Sequence, residues 1–246
     1  MTVEEGTCLI RARGVSKHFQ LGAQVVRALR EVDAEVYQGE FLLIMGPSGS
    51  GKSTLLNLIG GLDRPTAGHI EVEGRDIAGL DELALAGYRR RSIGFVFQSF
   101  NLISTMSARQ NVEFPMIFAG LTPRERHARA ELLLQRVGLG ERIGHRPLEL
   151  SGGEQQRVAI ARAMANNPTI VLGDEPTGNL DTKTGEEILD LLTVLNDEGT
   201  TLLLVTHDPR LVSYAHRVIH MQDGRVLRVE RGGRPIEIEP TPEAET

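Results

Sequence analysis

Phe41-Leu42-Leu43-Ile44-Met45-Gly46-Pro47-Ser48-Gly49-Ser50-Gly51-Lys52-Ser53-Thr54-Leu55-Leu56-Asn57-Leu58-Ile59 is the stretch from which the rest of the chain can be read. Its first five residues are all apolar. A run so short and continuous predicts a strand buried on both faces, as in a parallel sheet. Its last six residues carry a helix pattern. Between them, Gly46 to Ser53 fits G-x-x-x-x-G-K-[ST], and a strand before it with a helix after it is the context that pattern requires. The glycines let the backbone curl so that successive N–H groups point inward at phosphate oxygens. The helix N-terminus, where Thr54 sits, adds its dipole. Lys52 puts a cation at the β- and γ-phosphates of a nucleotide, and the Ser53 hydroxyl is placed to ligate Mg²⁺. The bland alternative is a Gly/Ser-rich turn with a surface lysine; strand, loop and helix together argue against it.

Outward from this stretch the same alternation continues. Short apolar runs recur at Ile93 to Phe97, Thr169 to Leu172 and Thr201 to Val205. Helical periodicity lies between and beside them at 124–137, 154–166 and 184–195; the last places Ile188, Leu191, Leu192 and Leu195 on one face and stops near Gly199. Buried strands alternating with helices predict an α/β sheet. Leu9 to Val15 and Leu29 to Val36 read as further strands, and His69 to Val72 with Arg75 to Ile77 reads as a hairpin turning at Glu73-Gly74. Hairpins near both ends and a helical stretch over about 100–165 suggest subdomains added to the sheet. The Pro- and Glu-rich stretch 232–246 has too few apolar residues to order itself and is expected to be an unstructured acidic tail.

Ile170-Val171-Leu172-Gly173-Asp174-Glu175 supplies a second site element, an apolar strand ending in two carboxylates. Such a pair at the C-terminal edge of a parallel sheet suits a metal and an attacking water. Asp174 is expected to hold Mg²⁺, and Glu175 to act on the water as general base. Alone, the segment could be a strand followed by a solvated acidic turn; the phosphate loop beside it raises its weight.

Leu150-Ser151-Gly152-Gly153-Glu154-Gln155-Gln156-Arg157 makes the reading specific. Ser151-x-x-Glu154 is a capping box opening a helix. Ser151 with the Gly152 and Gly153 amides forms a second anion-binding helix N-terminus. A segment of this wording beside a P-loop resembles the signature of ATP-binding-cassette (ABC) ATPases. The resemblance implies a P-loop NTPase cassette with a RecA-like core, an antiparallel β subdomain and a helical subdomain, covering roughly residues 8–230. It implies a homodimer joined through its ATP sites, in which this cradle caps the γ-phosphate held by the other protomer. The remaining motifs follow in the family's order. Gln98 matches the Q-loop glutamine, which touches Mg²⁺ and the water. Gly178-Asn179-Leu180-Asp181 matches the D-loop, with Asp181 at the dimer interface. His207, in Val205-Thr206-His207-Asp208, matches the residue that contacts the γ-phosphate and orients Glu175. Phe19 sits where the family stacks an aromatic on adenine, and it keeps the stacking face. The segments 97–120, 174–189 and 205–226 resemble the branch of lipoprotein-releasing and macrolide-exporting ATPases, whose partner is a separate transmembrane permease. Gly173 departs from the branch, which usually has Ala there.

Composition bounds these readings. The chain has 246 residues, 27 Lys+Arg against 33 Asp+Glu, and a net charge of −6, which does not favour a nucleic-acid partner. One cysteine, Cys8, excludes an internal disulfide framework. No apolar run approaches the roughly 20 residues that cross a bilayer, and residues 1–11 lack the apolar core of a secretory signal. The expectation is a peripheral subunit on the cytoplasmic face of the cell membrane, without insertion of its own. Five of seven Phe residues fall between Phe95 and Phe118, with Leu102, Met106, Met116 and Ile117 among them. The stretch reads as loop-rich, half packing the helical part and half forming a groove for a permease helix, with Phe100, Leu102 and Met106 as contacts. Three rivals stand beside the transporter reading. A DNA-repair or chromosome-structuring ATPase would carry long coiled-coil insertions, absent between Gln98 and Ser151. A cassette that binds ATP without turnover would not need Lys52, Asp174, Glu175 and His207. A permease that regulates cell-wall hydrolysis without moving cargo stays open.

Overall fold

The computed structural model describes residues 6–234. Phe41–Met45 (β3) is fully buried, and its alternation divides it between two cores. Phe41, Leu43 and Met45 join one cluster, while Leu42 and Ile44 join the other. Thr201–Thr206 (β8) does the same, with Leu202 and Leu204 on the first side and Leu203 and Val205 on the second. This is the physical reason the runs lack a charged residue: neither face meets water.

β3 is the central strand of a six-stranded sheet. It pairs in parallel with β8 on one side and with Arg217–Gln222 (β9) on the other. Beyond β8 lie Ile170–Asp174 (β7) and Ile93–Phe97 (β6), both parallel. Arg225–Arg231 (β10) closes the far edge antiparallel to β9. A second, antiparallel sheet is built on Cys8–Leu21 (β1) and Gln24–Tyr37 (β2), with Ala67–Val72 (β4) and Arg75–Asp76 (β5) beyond β1. Lys52–Ile59 (α1) fills the space between the sheets with Leu55, Leu56, Leu58 and Ile59. Ala108–Phe118 (α3), Pro123–Arg136 (α4), Gly152–Ala163 (α5) and Thr182–Asp197 (α6) cover the other face through Val112, Leu134, Val158 and Ile188. Glu82–Ser92 (α2) precedes β6.

Several expectations are revised. The β1–β2 hairpin runs well past the expected 9–15 and 29–36, and its outer part is exposed. Helix α2 carries Arg89, Arg90 and Arg91 and buries only Leu85, Tyr88 and Ser92, so its apolar period is faint. Its start is fixed by Asp81, whose side chain accepts the Ala84 N–H at 2.8 Å. The stretch after Gln98 is not loop throughout. Ser107 and Gln110 form a capping box that starts α3, and the helix continues through Pro115. Met116 is completely buried and Leu102 packs on the core, whereas Phe118 is 61% exposed and Ile117 48%. At the expected tail, Gly232, Gly233 and Arg234 donate backbone hydrogen bonds to His216, Val212 and Ala215. From 235 onward the tail lies outside the described residues.

One buried ion pair joins the sheets. Arg217 on β9 bonds both carboxylate oxygens of Glu40, Nη2 to Oε2 at 3.1 Å, and donates to the Glu35 carbonyl at 2.6 Å. The side chains are 12% and 6% exposed. Removing one member leaves the other charge buried and unpaired, at a cost of about 3–5 kcal/mol. Glu40→Ala is therefore expected to lower the unfolding free energy by about 3 kcal/mol in urea titrations, and Glu40→Gln by less; a midpoint within experimental error of wild type would show that the pair contributes nothing.

Candidate active site

The C-terminal ends of the parallel strands lie in one row. Met45 stands beside Thr206, and Asp174 stands between Phe97 and Val205. The residues that follow these strands, Gly46, Gln98, Glu175 and His207, are thereby delivered to one edge, where open α/β sheets bind ligands.

The loop 46–53 is built on close approach. A side chain at Gly46 would sit 2.1 Å from the Met221 carbonyl oxygen, and one at Gly51 2.5 Å from that of Ala28. Gly51 has φ +97°, a left-handed conformation that favours glycine, and no side chain caps the α1 N-terminus it opens. The loop is tied to the C-terminal hairpin, because the Gly224 N–H donates to Ser50 O at 3.1 Å and Gly224 O accepts from Arg30 at 2.8 Å. The Lys52 ammonium is folded back, donating to the carbonyls of Gly46 at 2.8 Å and Pro47 at 2.9 Å. Burial pushes its pKa down, and the nearby Glu175 and Asp174 charges push the other way. The buried Ser50 hydroxyl has no protein partner. Uncapped helix N–H groups, a buried ammonium and an unpartnered hydroxyl are the donor set a polyphosphate requires.

Across the edge, Ser53 Oγ donates to Asp174 Oδ1 at 3.0 Å. A hydroxyl and a carboxylate in contact are hard oxygen donors suited to Mg²⁺. Among the described residues no group of three or more His, Cys, Asp or Glu could form a metal cage. A cation held here would need further ligands from phosphate and water, as Mg²⁺ accepts. Burial raises the Asp174 pKa against the Ser53 hydrogen bond. Glu175 adopts φ +47°, a strained conformation for a non-glycine residue, fixed by its N–H bond to Val205 O at 2.9 Å. Its Oε1 lies 3.0 Å from His207 Nδ1, so carboxylate and imidazole form one unit.

The other expected residues lie apart from this unit. Gln98 turns to the 178–181 loop: its Nε2 donates to Asn179 Oδ1 at 3.2 Å, and Asn179 Nδ2 donates back to Gln98 O at 3.0 Å. A Cβ at Gly178 would come within 2.8 Å of that Nε2. Ser151 caps α5 by accepting the Glu154 N–H at 3.2 Å, and Glu154 Oε2 accepts the Ser151 N–H at 2.8 Å. This bond from Ser151 leads the causes that hold the Glu154 carboxyl below its usual range. The two signature glycines differ: a side chain at Gly153 would strike Thr184 at 2.4 Å, whereas Gly152 is open to 3.4 Å. Asp181 caps α6, accepting the Thr184 N–H at 3.1 Å. Phe19 is 38% exposed, beneath the Lys17 ammonium at 5.0 Å from the ring centroid. No hydrogen bond or ion pair among the described residues joins Phe19, Ser151 to Glu154 or Asp181 to the Lys52–Ser53–Asp174–Glu175–His207 group. Asn179 carried no sequence-level role and belongs with Gln98. Gly173 lies under Leu204, whose Cδ2 would meet an added Cβ at 2.4 Å.

The raised Asp174 pKa has a stability consequence. A carboxyl whose folded pKa lies above its unfolded value favours folding when protonated, and that contribution is lost as pH rises through the folded pKa. At neutral pH the ionised Asp174 therefore opposes folding. Asp174→Asn is expected to raise the Tm of the nucleotide-free protein at pH 7–8, with the gain shrinking as pH falls through the raised pKa. A pH series of thermal scans checks this; a lowered Tm at neutral pH would contradict the electrostatic account.

Comparison with known proteins follows the same lines. A family described as "ABC transporter" matches residues 29–178. The chain is 49% identical over 228 residues to the ABC transporter ATP-binding protein YknY of Bacillus subtilis, covering 93% of this chain and 99% of that one. It is 51% identical over 232 residues to the macrolide export ATP-binding/permease protein MacB 1/2 of Paracoccus denitrificans, covering 94% of this chain but spanning only 35% of that protein's length. Its fold superimposes with TM-score 0.86 and 45% identity on a dimeric post-hydrolysis state of the ATP-binding cassette MJ0796 bound to ADP and Pi, over 93% of this chain and all of that one. By the phosphate loop, the carboxylate strand and these matches, the chain belongs to the ABC transporter family, as one of its ATP-hydrolysing cassettes.

Proposed function

We propose that the chain hydrolyses Mg-ATP as a head-to-tail homodimer and thereby drives a separate transmembrane permease from the cytoplasmic face of the cell membrane. The observation that carries this reading is the separation of two phosphate-binding helix ends. One, at Lys52 and Ser53, bonds to Asp174 and lies near Glu175; the other, at Ser151 to Gly153, has no bond to it among the described residues. A second copy supplies the missing half. The similar cassette MJ0796 is known as a dimer, which supports the arrangement.

In this site the Gly46–Ser53 amides and Lys52 bind the β- and γ-phosphates, and Phe19 offers its exposed ring to adenine. Ser53 and Asp174 would hold Mg²⁺, which would supply charge neutralisation at the phosphate oxygens. Glu175 takes the proton of the attacking water, and His207 holds Glu175 in place. Gln98 must leave Asn179 to reach the metal and water. Ser151 and the Gly152 and Gly153 amides of the partner cap the γ-phosphate. Catalysis is positioning and charge stabilisation, and ATP closes the dimer only by its differential affinity for the closed state.

Exposure supports a permease surface at the end of α3. No helix of the described residues is long and apolar enough to cross a membrane. Phe100 and Leu102 are turned toward Gly152 and the core. The end of α3 is more open, where Phe118 and Leu121 line a cleft of about 410 Å³ with Arg90, Arg91 and Arg129. An apolar floor rimmed by arginines suits an amphipathic permease helix with acidic residues.

Glu175→Gln should bind ATP, accumulate as dimer in gel filtration and lose at least about a hundredfold in kcat. Lys52→Ala should abolish turnover, and mixing it with Ser151→Ala should give the pattern of a composite site. A monomeric Glu175→Gln at saturating ATP would sink the dimer. Phe118→Ala should leave ATPase activity of the isolated chain unchanged and abolish its stimulation by the permease; undiminished stimulation would move the docking surface elsewhere.

A further inference from the structure

Arg162, on α5, is a half-buried cation with no carboxylate partner among the described residues. Its guanidinium donates to two backbone carbonyls, Phe100 O at 2.8 Å and Asn101 O. Those residues are the third and fourth of the loop that starts at Gln98, and both adopt positive φ, +59° and +52°. Two consecutive non-glycine residues in this region are a strained local state that persists only where its surroundings enforce it. The carbonyls of such a pair converge, and the planar fork of an arginine can take both. A lysine offers no such fork. Burial alone pushes the Arg162 pKa down to about 10, so the site bears a desolvation cost that no nearby charge offsets.

The same loop touches the other end of the helix. The Phe100 ring lies 3.7 Å from the Cβ position of Gly152, in the signature cradle. Gly152 opens α5 and Arg162 lies ten residues along it, about 15 Å at the helical rise. Gln98 itself is held by Asn179, whose neighbour Leu180 also lies against the Gly152 Cβ position, at 3.4 Å. The loop of Gln98 is thus strapped along the helix whose N-terminus is the second phosphate cradle.

We infer that Arg162 is a positioning residue that makes the Gln98 loop and the Ser151–Gly153 cradle one mechanical unit. The cradle's engagement of the partner's γ-phosphate is thereby transmitted to the glutamine serving the chain's own nucleotide. This inference rests on the dimer reading above. A nucleotide bound only at the P-loop of an isolated chain does not need the strap; closure and turnover do.

The test uses the full chain. Arg162→Lys keeps the charge and loses the fork. Its affinity for a fluorescent ATP analogue as monomer should stay within about twofold, while kcat falls about tenfold or more, the scale of a small misplacement of a positioning group. In the Glu175→Gln background, Arg162→Lys should cut the ATP-induced dimer fraction. Arg162→Ala should be more severe on both counts. Should either variant fail to fold, hydrogen exchange on Glu175→Gln decides: protection of residues 99–103 and 151–155 should rise together with one ATP dependence. Dimerisation of Glu175→Gln with unchanged kcat and dimer fraction for Arg162→Lys overturns the role of Arg162 alone, as does independent protection of the two segments. Absence of dimer in Glu175→Gln itself overturns the underlying reading instead.

Discussion

The burial of the Lys52 ammonium is the constraint from which the site is built. A cation away from water needs oxygen around it, and here the nearest oxygens are the carbonyls of its own loop, Gly46 and Pro47. That geometry requires the backbone to turn back over the side chain. It leaves no room for a Cβ at Gly46 or Gly51, whose neighbours are carbonyls of other strands. The loop must therefore be seated against β2 and β9 before the lysine can be in place, and those strands are held by the Arg217 pair and by the two cores of β3. Fold and site are one problem in this chain: the strand buried on both faces aims the loop, and the loop's crowding fixes where its neighbours lie.

Around that lysine the charges are arranged in opposition. Asp174 and Glu175 stand near a buried cation without pairing with it directly; Asp174 bonds to Ser53, and Glu175 to His207. Burial disfavours ionisation of both Lys52 and Asp174. The site in this form holds groups whose charged states are complementary to a metal-bound polyphosphate, and it is held together by hydrogen bonds to Ser53, His207 and the loop carbonyls. The strain at Glu175 has the same sense: the left-handed backbone directs the carboxylate to His207 at the strand end. Such strain is maintained by the surrounding sheet.

What could be read in the sequence was what is local. Strands β3, β6, β7 and β8 are short, mostly apolar runs, the phosphate loop is eight consecutive residues, and Ser151 with Glu154 lie one helical turn apart. Helix α3 was hidden by Pro115 and a cluster of aromatics, although its Ser107–Gln110 box was in view. Helix α2 was hidden because it shows the core little more than Leu85 and Tyr88. The outer β1–β2 hairpin has no buried face to give it a period. At the site, the illegible part is long-range and involves backbone atoms. Asn179 meets Gln98 across 81 positions, and Arg162 meets Asn101 across 61. A carbonyl oxygen belongs to every residue, so a side chain that seeks one leaves no pattern in the partner's identity. The left-handed conformation of Glu175, Phe100 and Asn101 is equally silent, since none is glycine.

The stitching of the phosphate loop to the last hairpin reaches into how the protein is made. Ser50 receives its bond from Gly224, and Gly46 rests against Met221. Those contacts join residues 46–50 to residues 221–224, and contacts of such sequence separation are slow to form. On the ribosome, the phosphate loop emerges well before β9, with this part of the nest unsupported. The loop gains its Met221 and Gly224 supports only when synthesis has passed β9 and the turn into β10.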